Sequence, residues 1–156
     1  MGAVSWSGAA LLAGTVTTGL MAGLFAAFSY AVMPGLGRTD DATFVPAMQR
    51  INVAILNGWF GLCFGGALAF TALAAVLLRG RPGFGWVLAG LLLYVAVLAV
   101  TFVVNVPLNN RLLAATGDPA AARSAFELTW VRWNHARSVL STAAFGCLCW
   151  ALTLTG

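Results

Sequence analysis

Charge is what this sequence has least of: 8% of its 156 residues are Asp, Glu, Lys or Arg, against about 25% in an ordinary soluble domain. Lysine is absent, so all eight basic residues are Arg, set against four acids. These Arg are widely spaced, and the densest pair is Arg79 with Arg81. A nucleic-acid surface is thereby excluded, because it needs clustered cations that neutralise several phosphates together. Cysteine is also sparse: Cys63, Cys147 and Cys149 form an odd set inside apolar runs, which argues against a disulfide framework. Cys147 and Cys149 are two residues apart and so point to different faces of a helix, where they cannot jointly grip a metal. With one His, no HExxH, no glycine-rich phosphate loop and no GxSxG, conventional metal-site and nucleophile-elbow chemistries have no foothold.

Apolar residues are what is there, at 61% of the chain with a mean hydropathy of +0.93. Four runs reach or approach the roughly 20 residues that cross a hydrocarbon core as helix: Gly8 to Met33, Val53 to Leu78, Phe84 to Val104 and Ser138 to Leu154. The first has no basic n-region and is far longer than the ~7 to 15 apolar residues of a signal peptide, so it reads as a span. Pro34-Gly35 is expected to stop it. The predicted fold is all-α, a four-helix transmembrane bundle forming a single integral membrane domain over residues 1–156, in lipid rather than water. An even number of spans puts both termini and the Arg79 to Arg81 turn on one side.

Two longer connections lie at the other end, each with its own amphipathic helix expected. In the first, Thr39-Asp40-Asp41 is N-cap chemistry for a short helix that Pro46 should kink or restart. In the second, Gly117-Asp118-Pro119 reads as turn, N-cap and N1 of a helix continuing into the fourth span. Six Arg fall on the long-loop side against two in the turn. Setting aside Arg50, Arg111, Arg132 and Arg137 as candidate pocket residues makes the count a tie, so orientation stays open.

Three polar clusters converge at the long-loop end. Met48-Gln49-Arg50-Ile51-Asn52, with Asn57 further on, brings amides to the second span. Asn105 and Asn109 share a helix face if the helix survives Pro107, which removes a backbone donor. Trp130, Asn134, Arg137 and Ser141 follow i, i+4, i+7, i+11 along one stripe, with His135 and Ser138 beside it. Helix capping accounts for the asparagines, and interfacial anchoring for Trp133 and Arg132, as readily as a site does. Polar side chains at membrane depth are nevertheless costly unless paired, which makes this end the candidate site.

These clusters, together with Thr18-Gly19-Leu20-Met21-Ala22-Gly23-Leu24-Phe25 and Val32-Met33-Pro34, resemble the anthrone-oxygenase-like family of small four-helix membrane proteins (domain of unknown function 1772). The resemblance covers nearly the whole chain. Two departures stand out: Asn57-Gly58 where the family has Asn-Pro, and Arg137-Ser138 where it has Arg-Thr. The resemblance implies a bacterial plasma-membrane protein that oxidises an activated CH of a planar, phenolic or polyketide-like aromatic with O2 and no cofactor. It implies His135 as base, Asn134, Asn105 and Asn109 as donors to an enolate oxygen, and Arg137 as the stabiliser of its charge. Trp130 and Trp133 would stack on the substrate, with Gln49, Asn52 and Asn57 contributing to its binding. Two alternatives stand beside it. In one, His135 ligates haem or copper with Met33, Met48 or Cys63 as soft partners; in the other, the bundle is a non-catalytic carrier or accessory protein.

Overall fold

A computed structural model describes residues 5–155. Four helices are long and apolar enough to cross a membrane: α1 (Trp6–Leu36), α3 (Gly58–Leu77), α4 (Phe84–Ala114) and α5 (Pro119–Thr155). Between the first two crossings lies α2 (Asp41–Ala54). The four apolar runs were legible, but their polar ends are helical for much further than the runs suggest. Pro34 does not stop α1, and Pro107 does not stop α4. Both helices widen just before the proline into a π turn, Phe28–Val32 in α1 and Thr101–Asn105 in α4. In each, the backbone N–H of the residue preceding the proline, Met33 or Val106, reaches five residues back, to Phe28 O or Thr101 O. A proline ring clashes with the carbonyl four residues earlier, and the extra residue in the turn makes room for it.

The second span was expected from Val53, but it begins at Gly58, and Val53 and Ala54 belong to α2. Asn57 sets this boundary from both sides: its Oδ1 accepts from Phe60 N (3.1 Å) to start α3, and its Nδ2 donates to Ala54 O (3.0 Å). Gly58 sits at the first helical position, the place where proline is favoured, so the departure from Asn-Pro leaves the helix start intact. Pro46 does not restart α2, which runs unbroken from its Asp40 cap. Thr43 donates to that cap, holding the Asp40 carboxyl below its usual range, and the amide bond is 2.7 Å. In the second connection the helical residues are prolongations of α4 and α5.

At the closed end, Gly80 and Gly83 adopt positive φ (75° and 85°) in the α3–α4 turn, a conformation that only glycine takes without penalty. Gly83 packs against Leu154 and Thr155, and Ser5, Ser7 and Gly8 face the same recess as Arg81 and Pro82, so this end gathers the turn with the outer ends of α1 and α5. The core here uses small residues (Ala10, Ala74, Ala75, Ala151) around Leu11, Leu78, Val87 and Leu148. Small residues allow helix backbones to approach closely in lipid, where no hydrophobic force holds them together. Gly14 packs closely in this way, since a Cβ there would lie 2.8 Å from Thr71 Oγ1 and 3.1 Å from its backbone N. The opposite end is packed by large rings and sulfur: Phe28, Phe44, Phe126 and Trp130 with Met33 and Met48. Arg123 ties its corner together, pairing with Asp41 (3.0 Å) and Glu127 (2.6 Å) and donating to the carbonyls of Gly37 and Thr39.

Candidate functional site

The stripe read from spacing on α5 is the face the helix buries: Phe126, Trp130, Asn134, Arg137, Ser141, Ala144, Leu148 and Ala151. Its polar middle faces the two π turns, and a cavity of about 390 Å³ lies between them, within the ~300–1,000 Å³ range of small-molecule sites. Phe25 and Phe28 of α1, Asn52 of α2, Phe60 and Phe64 of α3, and Thr101, Asn105 and Asn109 of α4 complete its wall. The rim carries Leu56 and Phe102, 72% and 60% exposed. The lining is thus mainly aromatic and aliphatic with a few polar groups converging from α2, α4 and α5.

Arg137 is the centre of this polarity, 6% exposed and inside the apolar bundle. Its Nη2 donates to Asn134 Oδ1 at 2.8 Å, and Nη1 reaches Thr101 Oγ1 only at 3.5 Å. The guanidinium carbon lies 4.4 Å from the Phe25 ring centroid and 5.5 Å from that of Trp130, so aromatic faces supply part of the compensation for its charge. Asn134 is fixed in turn, its Nδ2 donating to Phe25 O (3.0 Å) and Ser29 Oγ (2.9 Å). Trp130 donates from Nε1 to Asn109 Oδ1 (2.8 Å) while its ring stacks on Phe126 at 5.8 Å. Asn105 contributes a long bond from Nδ2 to Trp130 O (3.5 Å). Three buried atoms of residues that line the cavity have no partner: Arg137 Nε, Asn105 Oδ1 and Asn52 Nδ2.

Of the candidate residues, Asn52, Asn105, Asn109, Trp130, Asn134 and Arg137 meet at the cavity. Gln49, Asn57, Trp133 and His135 do not line it. Gln49 donates to Leu112 O (2.8 Å) and Ala115 O (3.3 Å), closing the end of α4. Asn57 is exposed and occupied by capping. Trp133 is 42% exposed on the outer face. His135 is also on the outside, with Nδ1 3.1 Å from Ser29 Oγ, so it reaches Arg137 only through Ser29 and Asn134. Sequence reading missed Phe25, Phe28, Ser29, Phe60, Phe64 and Thr101. All six sit in apolar runs, where neither the five that line the cavity nor Ser29, which holds Asn134, stands apart from packing residues.

The donors considered for haem or copper do not converge. Met33 and Met48 are sealed in the aromatic cluster, Cys63 packs beside the Tyr94 cluster, and His135 faces outward. Among the described residues no group of three or more His, Cys, Asp or Glu is placed to hold a metal ion.

The architecture defines a class: a helical membrane protein of four apolar crossings with a polar-tipped aromatic cavity at one end. The profile of the family described as anthrone oxygenase matches residues 58–147, more than half of the chain. The chain belongs to that family. The matched stretch holds α3, α4 and most of α5, and so Trp130, Asn134 and Arg137; Phe25 and Asn52 come from outside it. No curated protein and no solved structure matches the chain.

Proposed function

We propose that this protein is a membrane oxygenase that takes a planar hydroxylated aromatic ketone of the anthrone type into the cavity and oxidises its activated CH2 with O2. The observation that carries this reading is Arg137, a buried guanidinium on an aromatic-walled cavity with unpartnered amide atoms beside it. In an anthrone, losing one CH2 proton spreads negative charge through the rings onto the ketone oxygen. A cation fixed where that charge collects stabilises the ionised state more than the neutral one, which is the condition for acceleration. Arg137 and Asn52 Nδ2 are the donors in this role. Asn105 Oδ1 accepts from a ring hydroxyl, and the aromatic wall of the cavity packs against the ring system.

The reaction balances without a cofactor. The CH2 proton passes to water as the substrate enters, and the bound carbanion gives one electron to O2. The two resulting radicals combine into a carbon-bound peroxide. Protonation of its outer oxygen and loss of the remaining C–H proton break the O–O bond. One CH2 and one O2 thus become one C=O and one H2O. His135 acts in this reading as a positioning residue, holding Ser29 and thereby the Asn134 amide that orients Arg137. The protein works as a multi-pass protein of a bacterial plasma membrane, with both termini on one side.

The test is O2 uptake and quinone absorbance with anthrone, in nanodiscs carrying metal-free protein, measured above the rate of empty nanodiscs. Removing one oxyanion donor lowers turnover about 10²–10³-fold in enzymes of this logic, and Arg137→Met is expected in that range. A rate equal to empty nanodiscs would refute the proposal, and binding of anthrone without O2 uptake would make the protein a carrier. A rate restored only by added metal would shift the chemistry to a redox centre.

A further inference from the structure

Among the described residues Arg137 has no counter-ion. The sequence contains four acids, Asp40, Asp41, Asp118 and Glu127, and each is engaged elsewhere. Asp41 and Glu127 pair with Arg123, Asp40 caps α2 through Thr43, and Asp118 Oδ1 accepts from Ala120 N at 3.0 Å at the start of α5. The groups that face the guanidinium from the neighbouring helices are neutral: Phe25 of α1, Thr101 of α4, and Trp130 and Asn134 of α5. A guanidinium carries five donors and stays protonated in proteins, yet here one hydrogen bond of good length and one long one are made, and Nε has no acceptor. Taking an uncompensated ion out of water costs several kcal/mol, and two aromatic faces offset only part of that.

We infer that the cavity binds its ligand already ionised, as a lipophilic aromatic monoanion whose negative oxygen supplies the missing counter-charge of Arg137. The inference rests on the cavity being the substrate site, and it adds that the recognised species is the anion rather than the neutral acid. The orphan atoms fit such a ligand. Arg137 Nε and Asn52 Nδ2 are donors for the anionic oxygen and its conjugated neighbour, and Asn105 Oδ1 is an acceptor for an un-ionised hydroxyl. Among the described residues five buried side-chain polar atoms lack a partner, and these three belong to residues that line the cavity. The other two, Thr18 Oγ1 and Thr71 Oγ1, lie off the cavity. The exposed part of the lining is Leu56, Phe102 and Leu113 with Asn110, so away from its charged edge and its hydroxyl the ligand is mainly apolar. Preference for the anion has a catalytic consequence by linkage: whatever factor favours it lowers the acid's pKa on the protein, one unit for each tenfold.

The experiment uses a matched pair of unreactive ligands, anthraquinone-2-carboxylate and its methyl ester, titrated into the full-length protein in nanodiscs by calorimetry. The carboxylate is expected to bind at least tenfold more tightly than the ester. Arg137→Met is expected to bring the two to equality, Arg137→Lys to keep a reduced preference, and Arg132→Met, on the outer face, to leave it unchanged. Equal binding of the pair by the wild-type protein overturns the inference without needing any variant to fold, as does a preference that survives in folded Arg137→Met. Preference without anthrone oxidation leaves this inference standing and removes the oxygenase reading; oxidation without preference does the reverse.

Discussion

Replacing Asn134 with Asp changes one atom of the side chain and supplies the counter-ion that the bundle withholds. The retained oxygen keeps its place 2.8 Å from Arg137 Nη2, and the bond becomes charge-assisted, about twice as strong as before. The oxygen replacing Nδ2 meets Phe25 O and Ser29 Oγ, now 3.0 and 2.9 Å from that position. Ser29 can turn to donate, whereas the carbonyl cannot, so one buried acceptor loses its donor at a cost of about 1–3 kcal/mol. These terms oppose each other, and the ligand-free protein should unfold within a few degrees of wild type. Ligand binding has no such compensation. An anion held on the free edge of the same guanidinium lies on the order of 5 Å from the new carboxylate, a repulsion of about 3 kcal/mol at an effective dielectric near 20. That corresponds to roughly a hundredfold weaker binding. Calorimetry with anthraquinone-2-carboxylate measures it, and thermal unfolding in the same nanodiscs confirms the fold. A folded Asn134→Asp protein that binds the anion within threefold of wild type would refute the reasoning, because it would mean that the charge of Arg137 is not what the ligand senses.

Three further outcomes follow from the geometry. His135→Ala and Ser29→Ala should each lower anthrone turnover less than tenfold while keeping the carboxylate preference, since both act through Asn134; a loss from His135→Ala as deep as from Arg137→Met would instead make the imidazole the proton acceptor. Gly14→Ala places a Cβ 2.8 Å from Thr71 Oγ1 and 3.1 Å from its backbone N, and unfolding in mixed micelles should show about 1–3 kcal/mol of destabilisation, while Gly61→Ala, which meets open space, should be near neutral. Because Thr43 lowers the Asp40 carboxyl, the cap is intact above the unfolded value near 3.9 and is lost as pH falls through the lowered folded value; the protection of amides 41–44 against hydrogen exchange, relative to their intrinsic rates at each pH, should drop there in wild type and hold in Asp40→Asn, an equally good cap that does not titrate.

Spacing alone sorted the fourth helix correctly. Trp130, Asn134 and Arg137 fall on one stripe at a period of 3.6, and they are buried together. His135 follows Asn134 by one residue, about 100° around the helix, and its outward position was implicit in that same arithmetic. Asn52 and Gln49 are three apart and both plausible at the cavity; which one enters depends on how α2 is rolled against α4 and α5, and rolling is set by the Phe44–Phe126 contact and the Arg123 clamp, neither of which a local pattern encodes. Asn57-Gly58 before an apolar run is a capping signal, and a site role for Asn57 has to compete with two hydrogen bonds already made. The prolines were legible as perturbations but not as to outcome. Whether a helix ends at a proline or widens ahead of it depends on whether the following residues find packing, and residues 108 and 112 do.

Those two widened turns also account for where the cavity is. In both α1 and α4 the proline comes two residues after the π turn ends, at the same end of the bundle, and the turns present Phe28, Thr101 and Asn105 to the polar stretch of α5. Phe25 O, just before the turn in α1, accepts from Ser29 Oγ and Asn134 Nδ2, so backbone polarity is spent on holding the side chain that orients Arg137. A regular helix at these positions would leave fewer carbonyls for side chains to reach. At the closed end the opposite economy holds: Gly and Ala bring backbones together and leave no room for a guanidinium. A buried charge therefore fits this bundle only where the helices have been widened, and its persistence there without a counter-ion among the described residues is what makes the aromatic cavity a site for a charged guest rather than a packing defect.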